Sequence, residues 1–197
     1  SVPLILTRAT PDDSERAYRE KSISEAFQEA GYKSGYINNQ ISLPIESRTI
    51  RTCCYPHEIH KPIDVDGAYD LELLNCVKEE NKEMLINAYD NCILYLDYFM
   101  DELITYVDSL NRSAVVLYIS DHGESFWEGE KKLTLHGSYE ISEYEFHVPM
   151  LVWYSDEYAA NYPSKVENLK KNRSHFMSSD VVFYSLLDMA SVKEVVD

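Results

Sequence analysis

The sequence predicts an α/β fold in which a doubly wound, mainly parallel sheet is flanked by helices. One observation is the unbroken apolar run from Ala114 to Ile119, whose β-branched and aromatic residues are typical of a strand buried on both faces of a parallel sheet. A second is the long amphipathic pattern from Leu85 to Leu110, which predicts a helix just before that strand. Because helical and strand patterns alternate along the chain, we expect the helices to cover the sheet.

The N-terminal part of the chain is predicted to contribute one helix and one strand. Ser14 is the expected cap of this helix, and Gly31 is its expected end. Residues 32–38 follow as a short strand, whereas residues 41–70 are predicted to be irregular because they contain three prolines and little periodicity. The apolar face of the helix consists of Ile23, Ala26, Phe27 and Ala30.

The remaining elements follow from the apolar pattern of the second half. The long helix carries apolar residues at alternating steps of three and four, so it is predicted to pack along one face of the sheet, with Cys92 inside that contact. Residues 126–144 are predicted to form a polar loop, and His147 to Tyr154 the next buried strand. Residues 155–173 are expected at the surface, and residues 179–192 form the predicted closing helix.

The composition excludes some classes of protein. At 197 residues, the chain suits one domain, residues 1–197. A formal net charge of -16 and a pI of 4.7 argue against nucleic-acid binding, which needs a basic surface. They leave a phosphate substrate open, because a bound divalent cation reverses the local field. No window resembles a membrane span or a signal peptide, so we expect this chain to be soluble and any anchor to lie outside it.

Candidate metal ligands stand at the carboxyl end of the central strand, where open α/β sheets place their chemistry. Asp121 and His122 are consecutive there, and His136 and His147 follow in the next segment. Carboxylates and imidazoles that neighbouring loops bring together form metal sites. Spacing alone leaves two interpretations open: a metal site, or a turn capped by Asp121 with histidines at strand edges. Glu124 is interpreted as a solvated turn residue rather than as a ligand or base.

The remaining histidines and the cysteines show weaker sequence patterns for metal binding. His57 and His60 have a suitable spacing, but their irregular polar surroundings predict surface histidines. The cysteines show no spacing of a zinc ribbon or a redox dithiol. One long-range disulfide and buried free thiols both remain open. The cysteines stand at positions 53, 54, 76 and 92.

The motifs taken together resemble the catalytic domain of phosphoethanolamine transferases, in the sulfatase-like branch of the alkaline phosphatase superfamily. They are Ser-Asp-His-Gly-Glu-Ser at 120–125, Leu-His-Gly at 135–137 and His-Val-Pro-Met-Leu-Val-Trp-Tyr at 147–154. Their order and spacing match the family as well. The resemblance implies an alkaline-phosphatase-like fold that is incomplete in this chain. Further matching segments are residues 1–10, 31–40, 86–91 and 185–189.

The resemblance also implies a reaction and a set of site residues. The family transfers phosphoethanolamine from phosphatidylethanolamine to lipid A or a glycan acceptor, using zinc and a phosphothreonine intermediate. Asp121 and His122 match the zinc ligands that activate the nucleophile and hold a phosphoryl oxygen. His136 matches the catalytic histidine that contacts the transferred phosphate or a second zinc. His147 matches a motif position, where it is expected to contact the substrate or to orient the strand end.

Two departures from the family pattern concern the nucleophile and one loop. The family's threonine nucleophile precedes the segment that starts at Ser1, and another zinc carboxylate lies further upstream, so neither Thr7 nor Thr10 is expected to replace them. Between Gln40 and Tyr55 the chain lacks the family's strand and Gly-Ser-His motif. With half of its zinc ligands, this chain by itself is expected to be a poor or inactive catalyst.

Other functions remain as alternatives. A related metal-dependent phosphatase or phosphodiesterase differs from a transferase mainly in whether water or an acceptor reaches the phosphoenzyme. A sulfatase is less favoured, because no Cys or Ser is followed by the x-Pro-x-Arg pattern of those enzymes. The non-catalytic alternative is a truncated, inactive relative with a binding or structural role. By resemblance, the full-length protein is expected at the periplasmic face of the inner membrane, attached through a segment absent from this chain.

Overall fold

Helices and short strands alternate along the chain. The computed structural model describes residues 7–8, 12–13, 15–16, 21–33, 35–37, 58–60, 81–137, 140 and 142–193. The strands are β1 (Gly35–Ile37), β2 (Glu58–His60), β3 (Val115–Ile119), β4 (Ser125–Phe126), β5 (Thr134–Leu135) and β6 (Met150–Tyr154). The helices are α1 (Ile23–Glu29), α2 (Lys82–Ser109), α3 (Glu143–Phe146), α4 (Asp156–Asn161), α5 (Pro163–Asn172) and α6 (Val181–Met189).

The chain divides into two units. The first unit comprises residues 1–67 and 172–197, and the second unit comprises residues 68–171. All the residues from 81 to 171 that the structure describes, including the candidate ligands, therefore belong to the second unit. That residues 1–197 form one domain stays a prediction.

Helix α1 of the first unit begins at a capping box. The Ser22 hydroxyl accepts a hydrogen bond from the Glu25 N–H at 3.3 Å, and the Ser22 N–H donates to the Glu25 carboxylate at 2.8 Å. The prediction of Ser14 as the cap of this helix is therefore wrong, and Ser14 itself lies outside the described residues. Gly31, with a φ of +85°, follows the helix end as predicted, since glycine adopts this left-handed conformation without a Cβ clash.

The buried core of the first unit lies between α1 and α6. Ile23 of α1 packs with Phe183 and Leu187 of α6 in one cluster of buried side chains. The Tyr32 hydroxyl donates a hydrogen bond to the Ala190 carbonyl at 2.9 Å, which ties the chain after α1 to the end of α6. Helix α6 confirms the closing helix predicted for the C-terminal part of the chain.

Two short strands also belong to the first unit. Strand β1 confirms the strand predicted within residues 32–38, and it pairs in parallel with β2, Gly35 opposite Glu58 and Ile37 opposite His60. Strand β2 lies inside the stretch that was predicted to be irregular, so that prediction is wrong for residues 58–60. A three-residue strand between two prolines is too short to produce a recognisable period in the sequence.

Helix α2 of the second unit confirms the predicted helix but not its packing. Leu85 is 1% exposed and packs with Phe126 and Trp127. Beyond the first turns, the apolar side chains are largely exposed, and so is Cys92, so the prediction that the whole helix packs on the sheet is wrong. Periodicity identifies the side chains that share a face but not what covers that face. The exposed side chains include Ile93, Leu94, Tyr95, Tyr98, Phe99, Tyr106 and Leu110.

Strands β3 and β6 confirm the two apolar runs as strands, but their pairing differs from the prediction. They are antiparallel, with Val115 opposite Tyr154 and Ile119 opposite Met150, and the residues of β3 are half-buried rather than buried on both faces. The apolar run predicts a strand but does not encode the direction of its neighbour. Ser155 ties the two strands together, because its hydroxyl accepts from the Ala114 N–H at 3.1 Å and donates to the Arg112 carbonyl at 2.8 Å.

The segment after β6 is more structured than predicted. It forms helices α4 and α5, and each of them buries one side chain, Tyr158 and Val166 respectively. The prediction of a surface segment is therefore wrong at these positions, where single apolar residues among polar neighbours gave no periodic signal. Across the described part of the chain, no helix combines the length and the apolar composition needed to cross a membrane.

Candidate functional site

The candidate site is built on a two-stranded antiparallel ribbon that follows the end of β3. In this ribbon Ser125 of β4 lies opposite Leu135 of β5, and Phe126 lies opposite Thr134. The next pair along the ribbon is Glu124 and His136, which the register therefore brings together although they are 12 residues apart. The predicted polar loop at 126–144 thus contains strand β5, so that prediction is wrong at residues 134–135.

The ribbon is anchored by the apolar core of the second unit. Leu85, Phe126 and Trp127 form its buried cluster, against which Tyr89 and Leu135 pack. The ring of Tyr89 meets that of Phe126 edge to face, with the centroids 5.1 Å apart. The first turns of α2 thereby support the ribbon that carries Glu124 and His136.

Glu124 and His136 form the closest polar contact of the site. The Glu124 Oε1 and His136 Nδ1 atoms are 2.7 Å apart, and the Glu124 side chain is only 18% exposed. The other oxygen, Glu124 Oε2, is buried and has no hydrogen-bond partner in the part of the chain that the structure describes. The interpretation of Glu124 as a solvated turn residue is therefore wrong, because the register of the ribbon folds its carboxylate inward against His136.

His122 stacks on His136 and has a different group near each ring nitrogen. The two ring centroids are 3.7 Å apart. His122 Nδ1 lies 3.0 Å from the Gly123 carbonyl oxygen and 3.9 Å from Glu124 Oε1. His122 Nε2 lies 3.9 Å from Asp121 Oδ2. If Nδ1 carries the proton and donates it to the Gly123 carbonyl, the Nε2 lone pair is on the side of Asp121.

This arrangement offers a donor set that suits a transition metal. His122, Glu124 and His136 each have one ligand atom within 4.8 Å of the others. Two imidazoles and one carboxylate are ligands that zinc accepts, and a cation would also satisfy the buried Glu124 Oε2. Asp121 lies outside this set of three, on the Nε2 side of His122. The structure therefore brings together His122 and His136 of the predicted residues and adds Glu124.

Gly123 fits against helix α3 because it lacks a side chain. Its N–H donates a hydrogen bond to the Glu145 carbonyl at 2.8 Å. A Cβ atom at Gly123 would collide with the carbonyl oxygen of Tyr144 and would lie 3.2 Å from the carbonyl carbon. Both of these atoms belong to the backbone, so they cannot move aside as a flexible side chain can. The Gly123 amide can therefore reach α3 only without a side chain.

We expect Gly123→Ala to lower the free energy of unfolding of the second unit by about 2 kcal/mol, since overpacking against backbone forces the loop to shift. Urea unfolding followed by tryptophan fluorescence measures this, because both tryptophans, Trp127 and Trp153, lie in the second unit. Gly129→Ala is the control for losing a glycine without a clash: its Cβ enters open space, and its φ of +65° adds a backbone strain of about 1 to 2 kcal/mol that Gly123 does not carry. A loss of less than about 0.5 kcal/mol in Gly123→Ala would contradict the proposed clash.

Tyr89 adds a neutral phenol beside the carboxylate. Burial raises the pKa of Tyr89, and the negative charge of Glu124 raises this pKa further. Because a raised pKa keeps the phenol protonated, Tyr89 carries no charge at neutral pH. Tyr89 thus adds no second negative charge beside Glu124.

The other predicted residues lie apart from this cluster or outside the described residues. His147 is exposed at the end of α3, where its N–H donates to the Glu143 carbonyl at 3.0 Å. Thr7 is buried in a bend of the first unit. His57 and Thr10 lie outside the described residues, as does the side chain of His60.

The chain is similar to known proteins in sequence and in fold. A family model described as Sulfatase matches residues 56–192. The phosphoethanolamine transferase EptA of Salmonella typhimurium is 38% identical over 127 residues, which are 62% of this chain and 22% of the relative. The Kdo(2)-lipid A phosphoethanolamine 7''-transferase of Escherichia coli is 44% identical over 82 residues, which are 41% of this chain and 14% of that protein. The chain thus spans about a fifth or less of the length of these curated relatives.

Solved structures share the fold. The soluble domain of lipooligosaccharide phosphoethanolamine transferase A from Neisseria meningitidis has a TM-score of 0.70 at 21% identity, covering 96% of this chain and 72% of that one. The C-terminal periplasmic domain of EcEptC from Escherichia coli, in complex with Zn, has a TM-score of 0.76 at 17% identity, covering 96% and 66%. These likenesses confirm the predicted α/β, alkaline-phosphatase-like fold.

Proposed function

Because this chain belongs to the sulfatase family, we propose that it is the catalytic domain of an enzyme that transfers phosphoethanolamine from phosphatidylethanolamine to lipid A or a glycan acceptor. Its relatives are named phosphoethanolamine transferases, which supports the transferred group, and one is named for Kdo(2)-lipid A, which supports a lipid A acceptor. A phosphothreonine intermediate belongs to the same proposal. Its threonine is not assigned to a residue described in this chain.

The observation that carries the proposal is the cluster of His122, Glu124 and His136 at the end of the ribbon. All three residues lie in the motifs on which the resemblance rests, and the ribbon register brings those motifs together. One carboxylate oxygen of Glu124 is buried and has no hydrogen-bond partner among the described residues. A solvated, purely structural turn would not need to bury this carboxylate oxygen.

In the proposed site, Asp121 and His122 hold zinc. The Gly123 carbonyl supports this role for His122, since metal-binding histidines usually donate their other ring N–H to such an acceptor. Asp121 Oδ2 lies 3.9 Å from the other ring nitrogen of His122, Nε2, so one metal ion could contact both ligand atoms. Zinc, when bound, supplies Lewis-acid polarisation of a phosphoryl oxygen and neutralises its charge. The zinc complex of a structural neighbour supports this choice of metal.

His136 is the proposed catalytic residue that contacts the transferred phosphate. Its Nδ1 is held by Glu124 at 2.7 Å, so the position of the ring is fixed and Nε2 is left for the substrate. Glu124 acts through His136 by orienting its ring. His147, exposed at the end of α3, is the proposed contact to a more distant part of the substrate.

The proposal places this domain at the periplasmic face of the inner membrane in the full-length protein. The support is that structural neighbours are described as a periplasmic domain and as a soluble domain of such transferases. An acceptor such as lipid A is a membrane lipid, so the site must face the membrane compartment that displays it.

The test is transfer of phosphoethanolamine in a defined mixture. The full-length protein is incubated with zinc, phosphatidylethanolamine and lipid A in detergent micelles, and the lipid A is analysed by mass spectrometry. The 197-residue chain, assayed in parallel, is expected to show little or no transfer. We expect lipid A to gain one phosphoethanolamine group and a chelator to abolish the gain. Release of free phosphoethanolamine with unmodified lipid A would indicate a hydrolase instead. No turnover of either kind, in a protein that binds zinc, would favour the inactive relative.

A further inference from the structure

The side chain of Glu145 is a buried carboxylate that the proposed reaction does not use. It belongs to helix α3 and is 7% exposed. Carboxylates are rarely buried unless hydrogen bonds compensate for the lost hydration. The contacts of Glu145 therefore indicate what it does in the structure.

Two of these contacts come from Ser125, the last residue of the loop 122–125, and from Ser142, the residue that precedes α3. Glu145 Oε1 accepts a hydrogen bond from the Ser125 hydroxyl at 3.3 Å and from the Ser142 N–H at 3.4 Å. The hydroxyl oxygens of Ser125 and Ser142 are 2.5 Å apart, and Ser125 is 2% exposed. When the Ser142 hydroxyl donates to Ser125, the Ser125 proton points to the carboxylate, and every donor in this chain of contacts is satisfied.

A third contact comes from the backbone of the same residue. The Glu145 carbonyl accepts the Gly123 N–H at 2.8 Å, on the other side of Glu124. One residue of α3 thus holds both chain neighbours of Glu124, through its carbonyl on one side and through its carboxylate on the other. Glu124 Oε1 in turn lies 2.7 Å from His136 Nδ1. His122 directly precedes Gly123, whose N–H is held by the Glu145 carbonyl.

From these contacts we infer that Glu145 is a positioning residue, which fixes the loop 122–125 so that His122, Glu124 and His136 converge. It touches none of these three side chains and acts through Gly123 and Ser125. The part of the inference that concerns zinc rests on the proposed function, whereas the fixing of the loop does not. The competing explanation is that Glu145 only caps the first turn of the four-residue helix α3, in which case its loss affects stability alone.

The experiment compares three variants of the 197-residue chain. Glu145→Ala removes the carboxylate, Glu145→Gln keeps an oxygen that can accept the same hydrogen bonds, and Glu143→Ala removes an exposed acidic side chain from the same helix. The first readout needs no metal: exchange of the Gly123 amide hydrogen in metal-free protein, relative to the Tyr118 amide in β3. The second readout is zinc affinity by competition with a chelator, at a temperature where each variant is folded by circular dichroism.

We expect Glu145→Ala to accelerate exchange at Gly123 at least about tenfold and to weaken zinc binding by a similar factor, in the range seen when a supporting group is removed. Glu145→Gln is expected to restore both quantities to within about threefold, and Glu143→Ala to leave both unchanged. Lower stability with unchanged exchange at Gly123 and unchanged zinc affinity would overturn the inference. If Glu145→Ala does not fold, Ser125→Ala, which breaks only the carboxylate side of the contact, takes its place.

The two readouts also separate this inference from the proposed function. A wild-type chain that does not bind zinc would remove the metal from the proposed function, while the exchange rates would still decide the role of Glu145. Conversely, a chain that binds zinc equally well with and without the Glu145 carboxylate would leave the proposed metal intact and refute the positioning role.

Discussion

His122→Ala is expected to lower the affinity of the chain for zinc by at least about 100-fold, more than the loss of a supporting group causes. His122 is the residue common to both parts of the site, since its ring stacks on that of His136, its Nδ1 lies 3.9 Å from Glu124 Oε1 and its Nε2 lies 3.9 Å from Asp121 Oδ2. Its removal deletes a ligand and opens a gap between the remaining groups. Competition with a chromophoric chelator measures the change in affinity.

The matched control is His175→Ala, which removes an exposed histidine of the first unit and is expected to leave zinc affinity unchanged. The absorption spectrum of Co²⁺ in place of zinc adds a test of coordination, because the visible bands report the number of ligands. Unaltered zinc affinity and an unaltered Co²⁺ spectrum in His122→Ala would show that the metal, if bound, is held elsewhere.

Leu85→Ala is expected to lower the free energy of unfolding of the second unit by about 3 kcal/mol. Leu85 is 1% exposed and lies at the centre of the cluster with Phe126 and Trp127. The substitution removes buried apolar surface and leaves a cavity under the ribbon that carries Glu124 and His136. Urea unfolding followed by tryptophan fluorescence measures the loss, and Trp127 reports on the cavity directly.

Leu94→Ala is the control on the same helix, because Leu94 is 66% exposed. It is expected to change the free energy of unfolding by no more than about 0.5 kcal/mol. Similar losses for the two variants would mean that the exposed face of α2 is covered in solution, and that the cluster under the ribbon does not dominate the stability of the second unit.

Much of the fold follows from local patterns. The period of the apolar residues predicts helix α2, and the unbroken apolar runs predict β3 and β6. The same patterns failed where the deciding contact is distant in sequence. They predicted a parallel neighbour for β3, whereas β6 runs antiparallel to it. They also predicted that the whole of α2 packs against the sheet, although most of its apolar side chains are exposed.

The candidate site, like the fold, could be predicted from the sequence only in part. Asp121, His122 and His136 stand out because their residue types and motif positions suit metal and phosphate chemistry. Glu124 does not stand out, since a glutamate after a glycine is ordinary in a polar turn. Its role follows from the register of β4 and β5, which no short stretch encodes. The one available signal was that Glu124 lies within the same Ser-Asp-His-Gly-Glu-Ser motif as the proposed zinc ligands.

The sequence alone predicted the family, the long helix α2, strands β3 and β6, and Asp121, His122 and His136 as candidate site residues, because these depend on local composition and on short motifs. The tertiary structure alone decided which of those residues meet. Antiparallel pairing of Ser125 with Leu135 places Glu124 against His136, and the close fit of Gly123 to α3 holds the loop between them. Such contacts join residues 10 or more positions apart, so they depend on backbone hydrogen bonds and packing that a linear pattern does not contain.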